Sequence, residues 1–145
     1  MIIFWDTNVL VDLLMVRRPF YDPASTILSM SEENGWQIIV SSLSIMNANY
    51  ICCERGKMPM DMWERKILGL SSLVSICSLG SDNILNSCFK GWSDFEDCVQ
   101  YNCALQNQCD YIVTRNKKDF QLSSIPVLEP DDFILLNQQS VINNQ

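Results

Sequence analysis

The sequence predicts an α/β fold, a three-layer α/β/α sandwich with a mostly parallel central sheet. Four short apolar runs rich in β-branched and aromatic residues alternate with stretches of helical periodicity, and parallel strands require such crossover helices. The runs are nearly continuous in hydrophobicity, as strands buried on both faces must be.

Taken in order, Ile2-Ile3-Phe4-Trp5 is the first strand and stops at Asp6. Asn8 to Leu14 reads as a helix that ends before the Arg17-Arg18-Pro19 turn. Asp22-Pro23 opens the next helix by the cap-then-proline rule, and Gly35 closes it. Gln37 to Val40 is the second strand. Ser41 or Ser42 then caps a helix running through Cys53, with Gly56 where a C-terminal glycine belongs. A helix follows Pro59 and carries Trp63, Ile67, Leu68 and Leu70, and Leu73 to Cys77 is the third strand. Ser81 caps a short helix to Phe89, and Ser93-Asp94-Phe95-Glu96 has the form of a capping box, with Ser93 as the cap. Cys109 to Val113 is the last clear strand, Ile125 to Leu128 an edge strand, and Pro130 starts a short terminal helix. One domain is expected over residues 1–136, followed by a polar, mobile tail over 137–145.

Composition narrows the chemistry. With 145 residues, 48% of them hydrophobic, the chain can bury one sizeable core. A net charge of −7 disfavours bulk adhesion to nucleic acid or anionic membrane, so an anionic partner has to be captured locally. Histidine is absent, which excludes Ser-His-Asp and Cys-His catalysis and imidazole-ligated zinc. The seven cysteines show no C-x-x-C spacing, so buried thiols in a reducing cytoplasm are expected. The start MIIFWDTN lacks the marks of a secretion signal, and no apolar run nears the roughly 20 residues that cross a bilayer. Trp36, Trp63, Trp92 and the Met58-Pro59-Met60-Asp61-Met62 stretch suit either core packing or an interface.

Ligands of open parallel sheets bind beyond the carboxyl ends of the strands. Asp6 follows the first strand there. Thr114, Arg115, Asn116 and Asp119 follow the last clear one. Asp94 and Asp97 lie three apart at the start of a helix, on positions able to share a ligand, although first-turn carboxylates also suit the helix dipole. Asp6, after a wholly apolar run, is expected to serve no cap and to be desolvated or paired. Two carboxylates about 5 Å apart repel by roughly 3 kcal/mol at an effective dielectric of about 20, so three together call for a counter-cation. Oxygen ligands alone select Mg²⁺ or Mn²⁺, which suit phosphodiester hydrolysis. Local positive sites for phosphate are Arg17-Arg18, Arg55 with Lys57, and Arg115 with Lys117 and Lys118, the last group adjoining the carboxylates.

With Asp6-Thr7-Asn8, D-F-E-D-C-V-Q-Y-N-C-A from Asp94 and D-Y-I-V-T-R-N-K-K-D-F from Asp110 in this order, the chain resembles the PIN-domain family of Mg²⁺-dependent ribonucleases, including VapC-like toxins. The similarity covers nearly the whole chain. It places the family's first acid on Asp6 and its third on Asp97, with Asp94 as an additional acid, and has Thr7 and Asn8 steady the loop. The second acid falls on Asn47 and the fourth on Asn116, with Asp119 nearby; each replacement removes a unit of negative charge.

The resemblance implies an endoribonuclease with Asp6, Asp94, Asp97 and Asp119 as catalytic acids, the first three holding Mg²⁺ or Mn²⁺. Asn8, Asn47, Thr114 and Asn116 would assist, and Arg115, Lys117 and Lys118 would bind RNA. A toxin role, a small antitoxin partner and a homodimer are implied by the same likeness. The two asparagines leave open an alternative, a PIN module that binds RNA or a protein without cutting. A phosphoacceptor receiver or a haloacid-dehalogenase-type phosphatase fits worse, because Asn8 stands where the phosphatase needs an acid and no paired acids follow the first strand.

Overall fold

A computed structural model of the chain describes residues 1–142. Strand β1 is Ile2–Trp5, β2 Gln37–Ser41, β3 Val74–Cys77, β4 Tyr111–Val113 and β5 Val127–Leu128. They form one sheet in the order β3-β2-β1-β4-β5 with every pairing parallel. Strand β1 is central. Ile3, Phe4 and Trp5 have no exposed surface, which explains why this run is hydrophobic without alternation.

The sheet's two faces follow the period of two along each strand. Ile3, Trp5, Ile38, Val40 and Val113 point to one side, into a core completed by Leu10, Ile27, Trp63 and Phe133. Phe4, Ile39 and Ile112 point to the other, against Cys103, Ala104 and Phe120. Each fully buried side chain of this size contributes about 2 kcal/mol, so the two cores fix the strand register that sets where the carboxyl ends lie.

Helix α1 is Thr7–Leu14, α2 Tyr21–Asn34, α3 Ser42–Asn49, α4 Met60–Leu70, α5 Ser81–Leu85, α6 Phe95–Gln106 and α7 Pro130–Ile142. Gly35 ends α2 in the left-handed region, at φ 66°, as the sequence predicts. Ser41 caps α3 by accepting from the Ser44 amide at 3.0 Å. That helix does not run on unchanged to Cys53. Tyr50–Arg55 widens into a π-helical coil. Gly56 follows it at φ −82°, so its glycine is not explained by handedness. A Cβ there would lie 2.4 Å from Met15 Cε and 2.7 Å from the Cys52 carbonyl oxygen, and this close approach is what excludes larger residues.

Further boundaries differ from expectation: α2 begins at Tyr21 after Phe20, so Asp22 and Pro23 lie within its first turn and do not open it. Helix α5 is capped by Gly80 rather than Ser81 and stops at Leu85, short of Phe89. Strand β4 begins at Tyr111, two residues after Cys109, and β5 at Val127 rather than Ile125. Of the aromatic and methionine side chains, Trp63 is buried, Trp36 packs edge-on against Phe133, and Met60 and Met62 are exposed. The polar stretch from Asn137 continues α7 to Ile142, and the last three residues of the expected tail, 143–145, lie outside the described residues. Among the described residues no helix is long and apolar enough to cross a membrane.

From β1 the chain passes to β2 and β3 on one side and returns to β4 and β5 on the other. The boundary between β1 and β4 is therefore a topological switch point, where connections diverge and leave a crevice beyond the strand ends.

Candidate active site

Asp6 sits at that crevice, directly after β1, and is buried, with 7% of its surface exposed. Contrary to the sequence expectation it does serve as a cap: α1 starts at Thr7, whose amide donates to Asp6 Oδ1 at 2.7 Å. Its Oδ2 accepts from Asn8 Nδ2 at 2.9 Å and from Thr114 Oγ1 at 2.7 Å. Thr114, fully buried after β4, also accepts from Asn8 Nδ2 and from the Asn116 amide. Asn8 Oδ1 in turn accepts from the Arg115 amide at 3.1 Å. These bonds stitch the ends of β1 and β4 together around one carboxylate. Burial raises the Asp6 pKa, the bonds from Thr114 and Thr7 oppose that, and the charges of Glu96 and Asp119 add to it.

The second acidic element is the start of α6. Its cap is Asp94, not Ser93. The Asp94 carboxylate accepts from the amides of Glu96 at 2.7 Å and Asp97 at 3.3 Å. Asp94 thus satisfies the orphan amides of the first turn and does not line the crevice, whereas Glu96 and Asp97 do. Asp97 is half-buried, and its pKa is pushed up to about 7 by burial and then by the charges of Asp6, Asp94, Asp119 and Glu96. Glu96 Oε1 accepts from Asn47 Nδ2, on α3, at 2.7 Å.

Beneath these groups lies a buried polar knot. Gln100, one turn along α6, donates through Nε2 to Ser44 Oγ at 2.9 Å and accepts from Ser41 Oγ at 2.6 Å. Thr7 Oγ1 donates to the same Ser44 Oγ at 3.0 Å. Ser41, Ser44 and Gln100 are fully buried. They lock α1, α3 and α6 in register, which fixes how the acids face one another.

The crevice is a cleft of about 460 Å³. From the sequence-predicted set it gathers Asp6, Asn8, Asn47, Asp97 and Asn116, with Arg17 and Arg55 of the candidate phosphate sites, and it adds Tyr50 and Glu96. Asp119 lies in an adjoining cavity with Trp92, Ser93 and Lys118, close enough for its charge to reach both Asp6 and Asp97. Two of the three basic residues expected to hold RNA, Arg115 and Lys117, are paired with acids elsewhere. Arg115 Nε donates to Asp12 Oδ2 at 2.6 Å, and its guanidinium lies 4.2 Å from the centre of the Phe20 ring. Asp12 is 1% exposed, so its charge requires this partner. Lys117 pairs with Asp132 at 3.8 Å.

Sequence reasoning passed over Glu96 and Gln100 as site residues. Glu96 was hidden because a glutamate in a helix's first turn is ordinary. Gln100 did carry a signal, an uncharged polar side chain on the face that Val99, Cys103 and Ala104 bury. Among the described residues no group of three or more Cys, Asp or Glu side chains closes into a metal cage. Asp6 and Asp97, with amides beside them, nevertheless fit Mg²⁺ or Mn²⁺, because such ions keep several waters and take one or two carboxylates. The donors are all hard oxygens, and burial and neighbouring carboxylates both disfavour the charged form of Asp97 in the cation's absence.

The sequence matches the family described as "PIN domain" over residues 3–118. No curated protein matches it at a significant level. The fold is similar to that of a toxin-antitoxin complex from Klebsiella pneumoniae, with a TM-score of 0.62 and 24% identity over 88% of this chain and 96% of that one. It is similar to VapBC2 from Rickettsia felis bound to a promoter DNA fragment, at a TM-score of 0.65 and 20% identity over 89% and 98% of the two chains. Mycobacterium tuberculosis VapC20, a toxin that cleaves the Sarcin-Ricin loop, gives a TM-score of 0.60 and 12% identity over 76% and 86%.

Proposed function

Since the chain belongs to the PIN-domain family, we propose that it is a metal-dependent endoribonuclease hydrolysing RNA phosphodiester bonds at the cleft of Asp6 and Asp97. The observation that carries this reading is the gathering of Asp6, Glu96 and Asp97 with three amides in one cleft, where burial and the neighbouring acids push the Asp97 pKa up to about 7. Such a cleft favours a hard cation. Mg²⁺ or Mn²⁺ held there supplies a Lewis acid for the phosphoryl oxygen and lowers the pKa of water.

In this reading Asp6 and Asp97 hold the cation, while Asn8 and Thr114 keep the Asp6 carboxylate in a single orientation. Asn116 and Asn47 bring amides to the same cleft, able to bind water or a substrate oxygen. Asp119 acts through its charge, and Asp94 by shaping the turn that presents Asp97. Arg17 and Arg55 put two cations in the same cleft, where they can take phosphates flanking the scissile bond, in place of Arg115 and Lys117. Capture of that local kind suits a chain whose net charge is −7.

A cytoplasmic toxin restrained by a small antitoxin, with a homodimer as its assembly, is part of the same proposal. It is supported by a fold held in common with members of toxin-antitoxin pairs. The test is cleavage of RNA by homogeneous protein. Cleavage that requires Mg²⁺ or Mn²⁺ and is lost in Asp6→Asn supports the reading, and cleavage that survives this substitution overturns it.

Asn47 and Asn116, both in the cleft where the family places acids, favour a second reading, a module that binds RNA or a protein without cutting. Calorimetric titration with Mn²⁺ separates the two. Saturable binding in the micromolar to low millimolar range removes the main support of the non-cutting module.

A further inference from the structure

The cleft lacks an acid on α3, where Asn47 stands, yet it holds one on α6 that has no counterpart in the expected site. The two residues are joined: Asn47 Nδ2 donates to Glu96 Oε1 at 2.7 Å across the gap between the helices. One layer below, Gln100 Nε2 donates to Ser44 Oγ at 2.9 Å between the same two helices. Ser44 and Asn47 are three apart on α3, and Glu96 and Gln100 four apart on α6, so each pair shares one helical face. The Asn47–Glu96 bond is thus the upper rung of a ladder whose lower rung is fully buried.

A first-turn glutamate favoured only by the helix dipole has no need of that rung, since the Glu96 amide is already satisfied by Asp94. A glutamate at position 47 would set a second anion against Glu96. An asparagine instead supplies an N–H that holds the Glu96 carboxylate in place. The unit of charge missing from α3 is present on α6, in the same cleft.

We propose that Glu96, held by Asn47, supplies the cleft with the negative charge absent at position 47, acting on the cation through its charge and bound water rather than as a third direct ligand, with Asn47 as its positioning residue. This rests on the reading of the cleft as a divalent-cation site. Glu96 then raises the affinity for the cation, and the two-carboxylate set of Asp6 and Asp97 gains the charge that Asn47 cannot supply.

The experiment is calorimetric titration of the full chain with Mn²⁺ alone, accompanied by thermal unfolding of each variant. Glu96→Gln is expected to bind Mn²⁺ about tenfold more weakly without a lower unfolding midpoint, and Asn47→Ala to lose less. The double variant Asn47→Glu with Glu96→Gln returns the charge to α3 and reverses the hydrogen bond. It is expected to recover affinity to within about threefold of the native chain, a rescue that a purely structural role for Glu96 does not produce. Native affinity in Glu96→Gln, beside lost affinity in Asp97→Asn, overturns the proposal and leaves the cation site standing. Failure of the folded double variant to recover also overturns it. A native chain that binds no Mn²⁺ overturns the cation site, and this inference with it.

Discussion

Two carboxylates face each other across the cleft, and they are held by opposite means. Asp6, at the end of β1, is buried and receives three hydrogen bonds, from the Thr7 amide, Asn8 and Thr114. Asp97, in the first turn of α6, is half-buried, and burial together with the charges of four other acids pushes its pKa up to about 7. The strand end is thus preorganised by donors, while the helix tip crowds carboxylates whose repulsion is relieved by a bound proton or cation. Rigidity lies on one wall and electrostatic tension on the other.

The largest effect that sharpens this contrast is expected from Thr114→Val. It removes a donor from a buried carboxylate and an acceptor from Asn8 and Asn116, at a cost of about 3 kcal/mol of folding stability. Urea unfolding measures it, and a loss below about 1 kcal/mol would mean that the strand end is not the rigid wall. Gln100→Leu comes next. Ser41 and Ser44 then lose their partner inside the core, and about 2 kcal/mol of stability should go with it, together with Mn²⁺ affinity in calorimetric titration as α6 loses register.

Asp94→Ala is expected to be milder, costing about 1 kcal/mol as a lost helix cap, while Mn²⁺ affinity changes less than in Asp97→Asn. Equal loss of affinity in the two variants would make Asp94 a ligand after all. The remaining effect is the pH dependence of the metal-free protein. An Asp97 whose pKa lies near 7 in the folded chain, against 3.8 ordinarily, keeps a proton that the unfolded chain has released. Stability therefore falls as pH rises between those two values, and Asp97→Asn should flatten the slope in denaturant titrations across this range.

Much of the frame was legible before any coordinates. The unbroken apolar run at β1, the glycine at 35 and the proline at 59 each report a local requirement, a two-faced strand, a left-handed residue and a helix start, which sequence encodes directly. Asp6 and Asp97 were legible as well, because each lies at the carboxyl edge of the sheet or on a first helical turn. The partners of charged groups were not. Arg115 reads as a phosphate ligand until its ion pair with Asp12, 103 positions away, is seen. Asn47 reads as a lost acid until α3 and α6 are placed side by side. The choice of Asp94 over Ser93 as the cap turned on backbone angles that both residues can adopt.

The π-helical coil from Tyr50 to Arg55 has a consequence for how the cleft is lined. In a regular α-helix, positions 50, 51 and 55 would spread over roughly 140° of the cylinder. A coil bonded five residues apart turns more slowly and gathers a phenol, an aliphatic group and a guanidinium into a narrower sector facing the acids. Were the same six residues wound as an ordinary α-helix, Arg55 would swing to about 140° from Tyr50, away from the other lining side chains, with no change to any carboxylate.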